Sequence, residues 1–216
     1  VARTSARAGR RSRGKFIVFE GTEGAGKSTL ILELARLLES RAVPVVQTRE
    51  PGGVAVAEKI RNLILHEEMS PWTELFLYEA ARSEHLEKVI LPALAQGKWV
   101  LCDRFTDSTL AYQGQARGLP WKDVTTLNAL ATHGLEPDHV VWLDIDPALG
   151  LSFARDPNRF EAAGVAFQKK VRAGFLKAMR LDAKRKPRKW VRIRARSGTP
   201  GAMASSLIEK LVKGRG

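Results

Sequence analysis

The apolar run Phe16-Ile17-Val18-Phe19-Glu20 leads directly into Gly21-Thr22-Glu23-Gly24-Ala25-Gly26-Lys27-Ser28-Thr29. Its spacing is G-x-x-x-x-G-K-[ST], set between a predicted strand and a predicted helix. The glycines let backbone N–H groups turn inward around phosphate oxygens, and the helix that follows presents its positive end to the same anion. Lys27 is placed to reach β- and γ-phosphates, and the Ser28 hydroxyl to ligate Mg²⁺. A loop of this kind works only at the carboxyl end of a strand, so it dictates the kind of sheet around it.

The rest of the chain supplies that sheet. Apolar, β-branched runs fall at 16–20, 43–48, 98–102, 139–144 and 189–193, each bounded by turn or charged residues. Amphipathic stretches at 27–41, 54–66, 71–97, 106–117, 120–134, 147–155, 160–185 and 201–213 alternate with them. The alternation predicts an α/β fold with a parallel sheet and helices on both faces, because right-handed crossovers lay each helix on a sheet face. Ligands then gather beyond the carboxyl ends of the strands.

Three of those ends carry chemistry. The strand at 98–102 runs into Asp103-Arg104, an acid that can hold a metal's water shell beside a cation for an anionic acceptor. Asp103 could also simply cap a helix. After the second strand comes Thr48-Arg49-Glu50-Pro51-Gly52-Gly53, a turn that leaves Arg49 and Glu50 at the strand's end; Arg49 is placed for a phosphate or for a nearby acid. Tyr78 and Arg82 are four apart on one helix face, suited to stacking and holding a base or to core packing with a solvated arginine. Ser108 with Tyr112, and Thr109 with Gln113, line a helix beside Arg104 with hydroxyls and an amide that could read a base edge or cap and solvate the helix.

At 216 residues and 44% hydrophobic, the chain is sized for one core. The net charge of +13 raises nucleic acid as a partner, yet six Arg/Lys lie in residues 1–15 and thirteen in 169–196, while 16–168 is net acidic. Basicity confined to the ends weighs against it. We expect residues 1–15 to be a disordered basic tail and 16–216 to be one domain. No uncharged apolar run approaches the roughly 18 residues of a membrane span. With a single cysteine, Cys102, in an apolar run, a cytoplasmic protein without disulfides is expected. His66, His85, His133 and His139 show no metal-ligand spacing.

In combination, "FEGTEGAGKST", "TREPGG", "YEAARSEH" and "DRFTDSTLAYQG" resemble the signature blocks of bacterial thymidylate kinase, in order and at workable separations. The likeness runs from about Phe16 to the C-terminus. It implies a P-loop NTPase fold with a five-stranded parallel sheet and a lid, transfer of the γ-phosphoryl of ATP to dTMP with Mg²⁺, and a homodimer. It further implies that Glu23 faces the acceptor's 3′-hydroxyl, that Tyr78 stands where the family commonly stacks phenylalanine on thymine, and that Arg82 contacts that base. Arg49 and Arg104 would hold the acceptor phosphate, while Thr109, Tyr112 and Gln113 border base and sugar.

Relatives whose phosphate loop lacks arginine take one from the lid, which corresponds to about 153–161. That segment looks shorter and less basic than the usual lid, and Asn158 stands where aspartate is expected before Arg159. Arg155 is the candidate for the transferring phosphoryl group, with Arg159 second. Ile193-Arg194-Ala195-Arg196-Ser197 also departs from the family pattern, which leaves the adenine contacts unassigned. Two rivals remain: a deoxynucleoside kinase using Glu20 as base on a neutral hydroxyl, and a nucleotide-binding module that contacts nucleic acid through its basic ends.

Overall fold

The computed structural model describes residues 13–153, 159–183 and 189–212. Five strands, β1 (Phe16–Glu20), β2 (Val45–Arg49), β3 (Trp99–Asp103), β4 (His139–Asp144) and β5 (Lys189–Arg194), form one all-parallel sheet in the order β2-β3-β1-β4-β5. Register aligns Phe19 and Arg49 with Asp103. The phosphate loop, Arg49 and Asp103 therefore leave the sheet at one level, along one edge.

Alternation along β1 explains why both faces need cover. Ile17 and Phe19 meet Leu30, Leu34 and Leu38 of α1 (Lys27–Glu39) and Leu207 and Leu211 of α10 (Pro200–Val212). Phe16 and Val18 face the other way, onto Leu86, Ile90 and Phe105. Beside them Trp142 of β4 packs with Ile64 of α2 (Ala55–His66) and with Val171 and Phe175 of α9 (Gly164–Asp182). Cys102 is fully buried, and burial pushes its thiol well above the ordinary value.

Several expected boundaries move. The second strand begins at Val45 rather than at 43 and includes Arg49. The long helix expected over 71–97 is α3 (Pro71–His85), a wider π-helical turn over Leu86–Ile90, and α4 (Leu91–Ala95). Pro92, which has no N–H to offer the preceding turn, lies just beyond the widened segment. The helix over 106–117 likewise begins as α5 (Thr106–Thr109) and widens over Leu110–Ala116, ahead of α6 (Trp121–Ala131). The stretch at 147–155 contributes only α7 (Pro147–Leu151), N-capped by Asp146, and the one at 160–185 splits into α8 (Arg159–Ala162) and α9 at Gly164, whose φ is +79°. Among the described residues no helix is long and apolar enough to cross a membrane, and no three His, Cys, Asp or Glu side chains cluster as metal ligands.

Candidate active site

A cleft of about 400 Å³ opens at the carboxyl ends of β1, β2 and β3. One end is walled by Glu23, Gly24, Gly26, Lys27, Ser28 and Thr29, the other by Tyr78, Arg82, Thr109, Tyr112 and Gln113, with Arg49, Glu50, Asp103 and Arg104 between. The candidates from four separate sequence blocks thus meet in one place. Of the remaining loop residues, Gly21 and Thr22 accept from Lys27 through their carbonyls, and Ala25 lines a neighbouring cavity with Gly26, Thr29, Leu143 and Met203.

The loop's shape explains its composition. Gly24 sits at φ +70°, and a Cβ there would stand 2.0 Å from the Gly150 carbonyl oxygen of α7. Only glycine fits such a backbone approach. Lys27, 6% exposed, donates to the carbonyls of Gly21 at 3.2 Å and Thr22 at 3.3 Å, with its Nζ 3.9 Å from Asp103 Oδ1. Ser28 Oγ donates to Asp103 Oδ2 at 3.2 Å, while Asp103 Oδ1 is buried with no hydrogen-bond partner among the described residues. A hydroxyl beside a carboxylate that has an uncommitted oxygen is a donor set suited to a hard cation such as Mg²⁺.

Arg104 is the hub of the middle section. It occupies the left-handed region at φ +71°, a costly conformation for a residue with a side chain, and the turn sends its guanidinium back across the loop. There it pairs with Glu23, donates to the Gly21 carbonyl at 2.9 Å and lies 5.2 Å from the Tyr112 ring centroid. Burial would raise the Glu23 carboxyl, but the charge of Arg104, then of Lys27, outweighs it and holds the group below the ordinary carboxylate value. Burial opposes the Arg104 charge too, and Glu23 and its other anionic neighbours more than offset that. Burial pushes the hydroxyls of both Tyr112 and Tyr78 well above the ordinary phenol value.

At the far end the side chains interlock. Arg82 is 1% exposed and bonds Glu50, Glu79, Asn128 and Thr109. Gln113 donates to Glu74 at 2.7 Å, and Arg117 also bonds that carboxylate. Tyr78 meets Phe160 edge-on with centroids 6.5 Å apart. Arg49, half exposed, is engaged bidentately by Glu58 at 2.9 and 3.0 Å, a pair whose exposure makes it weak and easily exchanged for another anion.

The two lid arginines fare differently. Arg155 lies outside the described residues. Arg159 does not line the cleft but stands behind its wall: its guanidinium pairs with fully buried Glu74 at 2.6 Å, bonds the Ile64 carbonyl and lies over the Phe160 ring. Further cleft residues had no role assigned from the sequence. Arg61 donates to the Pro51 carbonyl at 3.0 Å, and burial followed by the repulsion of Arg49 lowers its pKa. The available signal was a charge on the buried stripe Ala57-Arg61-Ile64 of α2. Phe153 and Arg196 stack with the guanidinium carbon 3.3 Å from the ring centroid, and Arg196 also lines the neighbouring cavity. They come from the two segments, 153–161 and 193–197, that depart from the family pattern, and only the fold brings them together.

Glu20 has no access to the cleft. It is fully buried and accepts from Phe105 N–H, Ser108 N–H and Ser108 Oγ. Burial, then the neighbouring Asp107, pushes its carboxyl up to about 8, so at neutral pH it is mostly protonated and a poor base for a sugar hydroxyl. A folded-state value above the ordinary 4.5 means that stability from this group is full at low pH and falls as pH rises towards 8. We expect Glu20→Gln to remove that slope: relative to the parent chain, its melting temperature should be higher at pH 8.5 than at pH 5. An equal difference at both pH values would contradict this.

A family model described as thymidylate kinase matches residues 19–196. The chain belongs to the thymidylate kinase family. It is 46% identical to the thymidylate kinase of Teredinibacter turnerae over 93% of this chain and 98% of that protein. Identity to the thymidylate kinase of Gloeobacter violaceus is 50% over 74% and 79% of the two chains, and to that of Bdellovibrio bacteriovorus 42% over 92% and 96%. Thymidylate kinases phosphorylate dTMP to dTDP with ATP, and the P-loop fold with a five-stranded parallel sheet is the one described above. The chain is therefore a kinase whose two substrates are both anions.

Proposed function

We propose that the two halves of the cleft divide the reaction between them, the loop Gly21–Thr29 taking the ATP phosphates and the Tyr78 side taking dTMP. The observation that carries this is the meeting of Arg104 with both: it pairs with Glu23 of the loop while lying against Tyr112 of the base side. Transfer between two phosphates is chiefly a matter of positioning and charge, and the acceptor oxygen is already ionised, so no base is required. Lys27 holds the β- and γ-phosphates of ATP. Arg104, joined by Arg49 once it exchanges Glu58 for substrate, holds the acceptor phosphate. Glu23, kept ionised by Arg104, accepts from the sugar 3′-hydroxyl. Tyr78 stacks on the base, Arg82 donates to its edge, and Glu50, Thr109, Tyr112 and Gln113 complete that wall.

Ser28 and Asp103 would hold Mg²⁺, which supplies charge neutralisation on the β- and γ-phosphates when bound. Residues 153–161 act as the lid of a domain spanning 16–216, excluding water on closure. Because Arg159 is anchored to Glu74, Arg155 is left as the lid cation for the transferring phosphoryl group. Arg155→Ala is expected to lower kcat by about 10³ with little change in KM for dTMP, and Arg159→Ala to act mainly by loosening the lid base, with a smaller fall in kcat. A larger kcat loss in Arg159→Ala would reverse the assignment.

The protein works as a cytoplasmic homodimer. Val56 and Leu63 on α2 and Trp72 and Phe76 on α3 are exposed on two helices packed together, and aromatic surface of this kind favours self-association. Light scattering at the monomer mass would contradict the dimer.

A further inference from the structure

The hydrogen bonds of Arg82 describe how its guanidinium is aimed. Nε donates to Glu50 Oε2 at 2.8 Å, Nη1 to Glu79 at 2.9 Å and to Asn128 Oδ1 at 2.7 Å, and Nη2 to Thr109 Oγ1 at 2.8 Å. A guanidinium has five N–H groups. Partners among the described residues occupy four and leave one, on Nη2, at a wall of the cleft. A donor held this tightly is selective, because it cannot swing away from a mismatched group.

Behind Glu50 stands His85, 0% exposed. A carboxylate only accepts, so the imidazole proton sits on Nδ1 and is donated to Glu50 Oε1 at 3.1 Å; Nε2 then accepts from the Thr48 hydroxyl at 2.6 Å. Packing fixes the ring as firmly as its bonds do. Gly53 has φ +85°, and a Cβ there would lie 2.6 Å from His85 Cδ2 and 2.8 Å from Thr48 Oγ1. The last glycine of the Thr48–Gly53 turn is thus required by the imidazole that fills the space of its missing side chain. Thr48, half-buried, and His85, Glu50 and Arg82, all buried, form one continuous hydrogen-bonded chain from β2, through α3, to the cleft.

We propose that His85 is a positioning residue for base selection: it fixes the Glu50 carboxylate that aims Arg82, so the remaining guanidinium N–H meets position 4 of the pyrimidine. A 4-keto ring offers an acceptor there, whereas a 4-amino ring presents a donor to a donor and is refused. The inference rests on the proposed contact between Arg82 and the base. It goes beyond that contact by assigning the selectivity to a side chain that does not touch substrate.

Two substitutions divide the ring's roles. His85→Asn keeps an amide near the Nδ1 position and so retains the bond to Glu50, whereas His85→Gln keeps one near Nε2 and loses it. With full-length kinase and saturating ATP, kcat/KM is measured for dTMP and for dCMP, together with KM for ATP and melting temperature. His85→Gln is expected to lower the dTMP-to-dCMP ratio about tenfold, the effect of one lost charge-assisted hydrogen bond, with KM for ATP changed less than about twofold. His85→Asn should keep most of the ratio. A ratio unchanged in His85→Gln would overturn the proposal and leave His85 as packing alone.

Arg82→Lys separates the two layers of the argument. If it leaves the ratio intact, the base contact itself is wrong; if it collapses the ratio while His85→Gln does not, only the role of His85 fails. Should His85→Gln not fold, Thr48→Val releases the other side of the ring. It is expected to lower the same ratio, and an unchanged ratio there would equally overturn the proposal.

Discussion

Replacing Lys27 with methionine is expected to lower kcat by about 10²–10³ while leaving the fold intact. The side chain's bonds in the structure are to the carbonyls of Gly21 and Thr22, both over 3 Å long, and neutral-acceptor bonds of this kind contribute about 1–3 kcal/mol even when charge-assisted. Its larger task lies in the reaction. ATP and dTMP bring several negative charges into one cleft of about 400 Å³, where screening by water is weak. A cation that follows the migrating charge stabilises the transition state more than the ground state, so its loss falls on turnover rather than on binding. Methionine keeps the apolar stem and so preserves packing against the loop. A Lys27→Met enzyme with parental kcat would remove the loop from the chemistry.

Arg104→Leu should also be damaging and should read out differently. Its guanidinium joins Glu23, the Gly21 carbonyl, Ser108 and the face of Tyr112, so leucine leaves the half-buried Glu23 carboxylate without its main partner. Losing a charge-assisted hydrogen bond costs about 1.5–3 kcal/mol, and about 2.7 kcal/mol corresponds to a rise of about 100-fold in KM for dTMP. With Arg104 gone, burial governs Glu23 and its carboxyl moves upward, so acceptor binding gains a pH dependence absent from the parent. Adding Glu23→Gln to Arg104→Leu should recover part of the stability loss, since the stranded charge is then gone. Strict additivity of the two substitutions would show that the pair is not coupled as described.

The parts legible in the sequence were those whose chemistry is local. The spacing from Gly21 to Ser28, the acid followed by arginine at Asp103-Arg104 and the order of apolar runs each need only a few neighbouring residues to be recognised, and the sheet assembles them at one edge. The cage around Arg82 could not be read in this way. Glu79 is three residues away, but Glu50 is 32 positions earlier and Asn128 46 later, so only the folded chain brings them together. Arg159 looked like a second lid cation because Glu74, the buried carboxylate that captures it, is 85 positions upstream on another helix. The widened turns at Leu86–Ile90 and Leu110–Ala116 were missed for a related reason, since a π-helical turn keeps the amphipathic pattern of an α-helix on either side of it.

The most direct test of the account is the release of ADP from ATP by the purified protein, offered in parallel dTMP and thymidine at equal concentration. The cleft, with Arg49 and Arg104 proposed for the acceptor phosphate and Glu20 buried behind Ser108, predicts rapid release with dTMP and only the background rate with thymidine. Release that proceeds with thymidine and not with dTMP would contradict it.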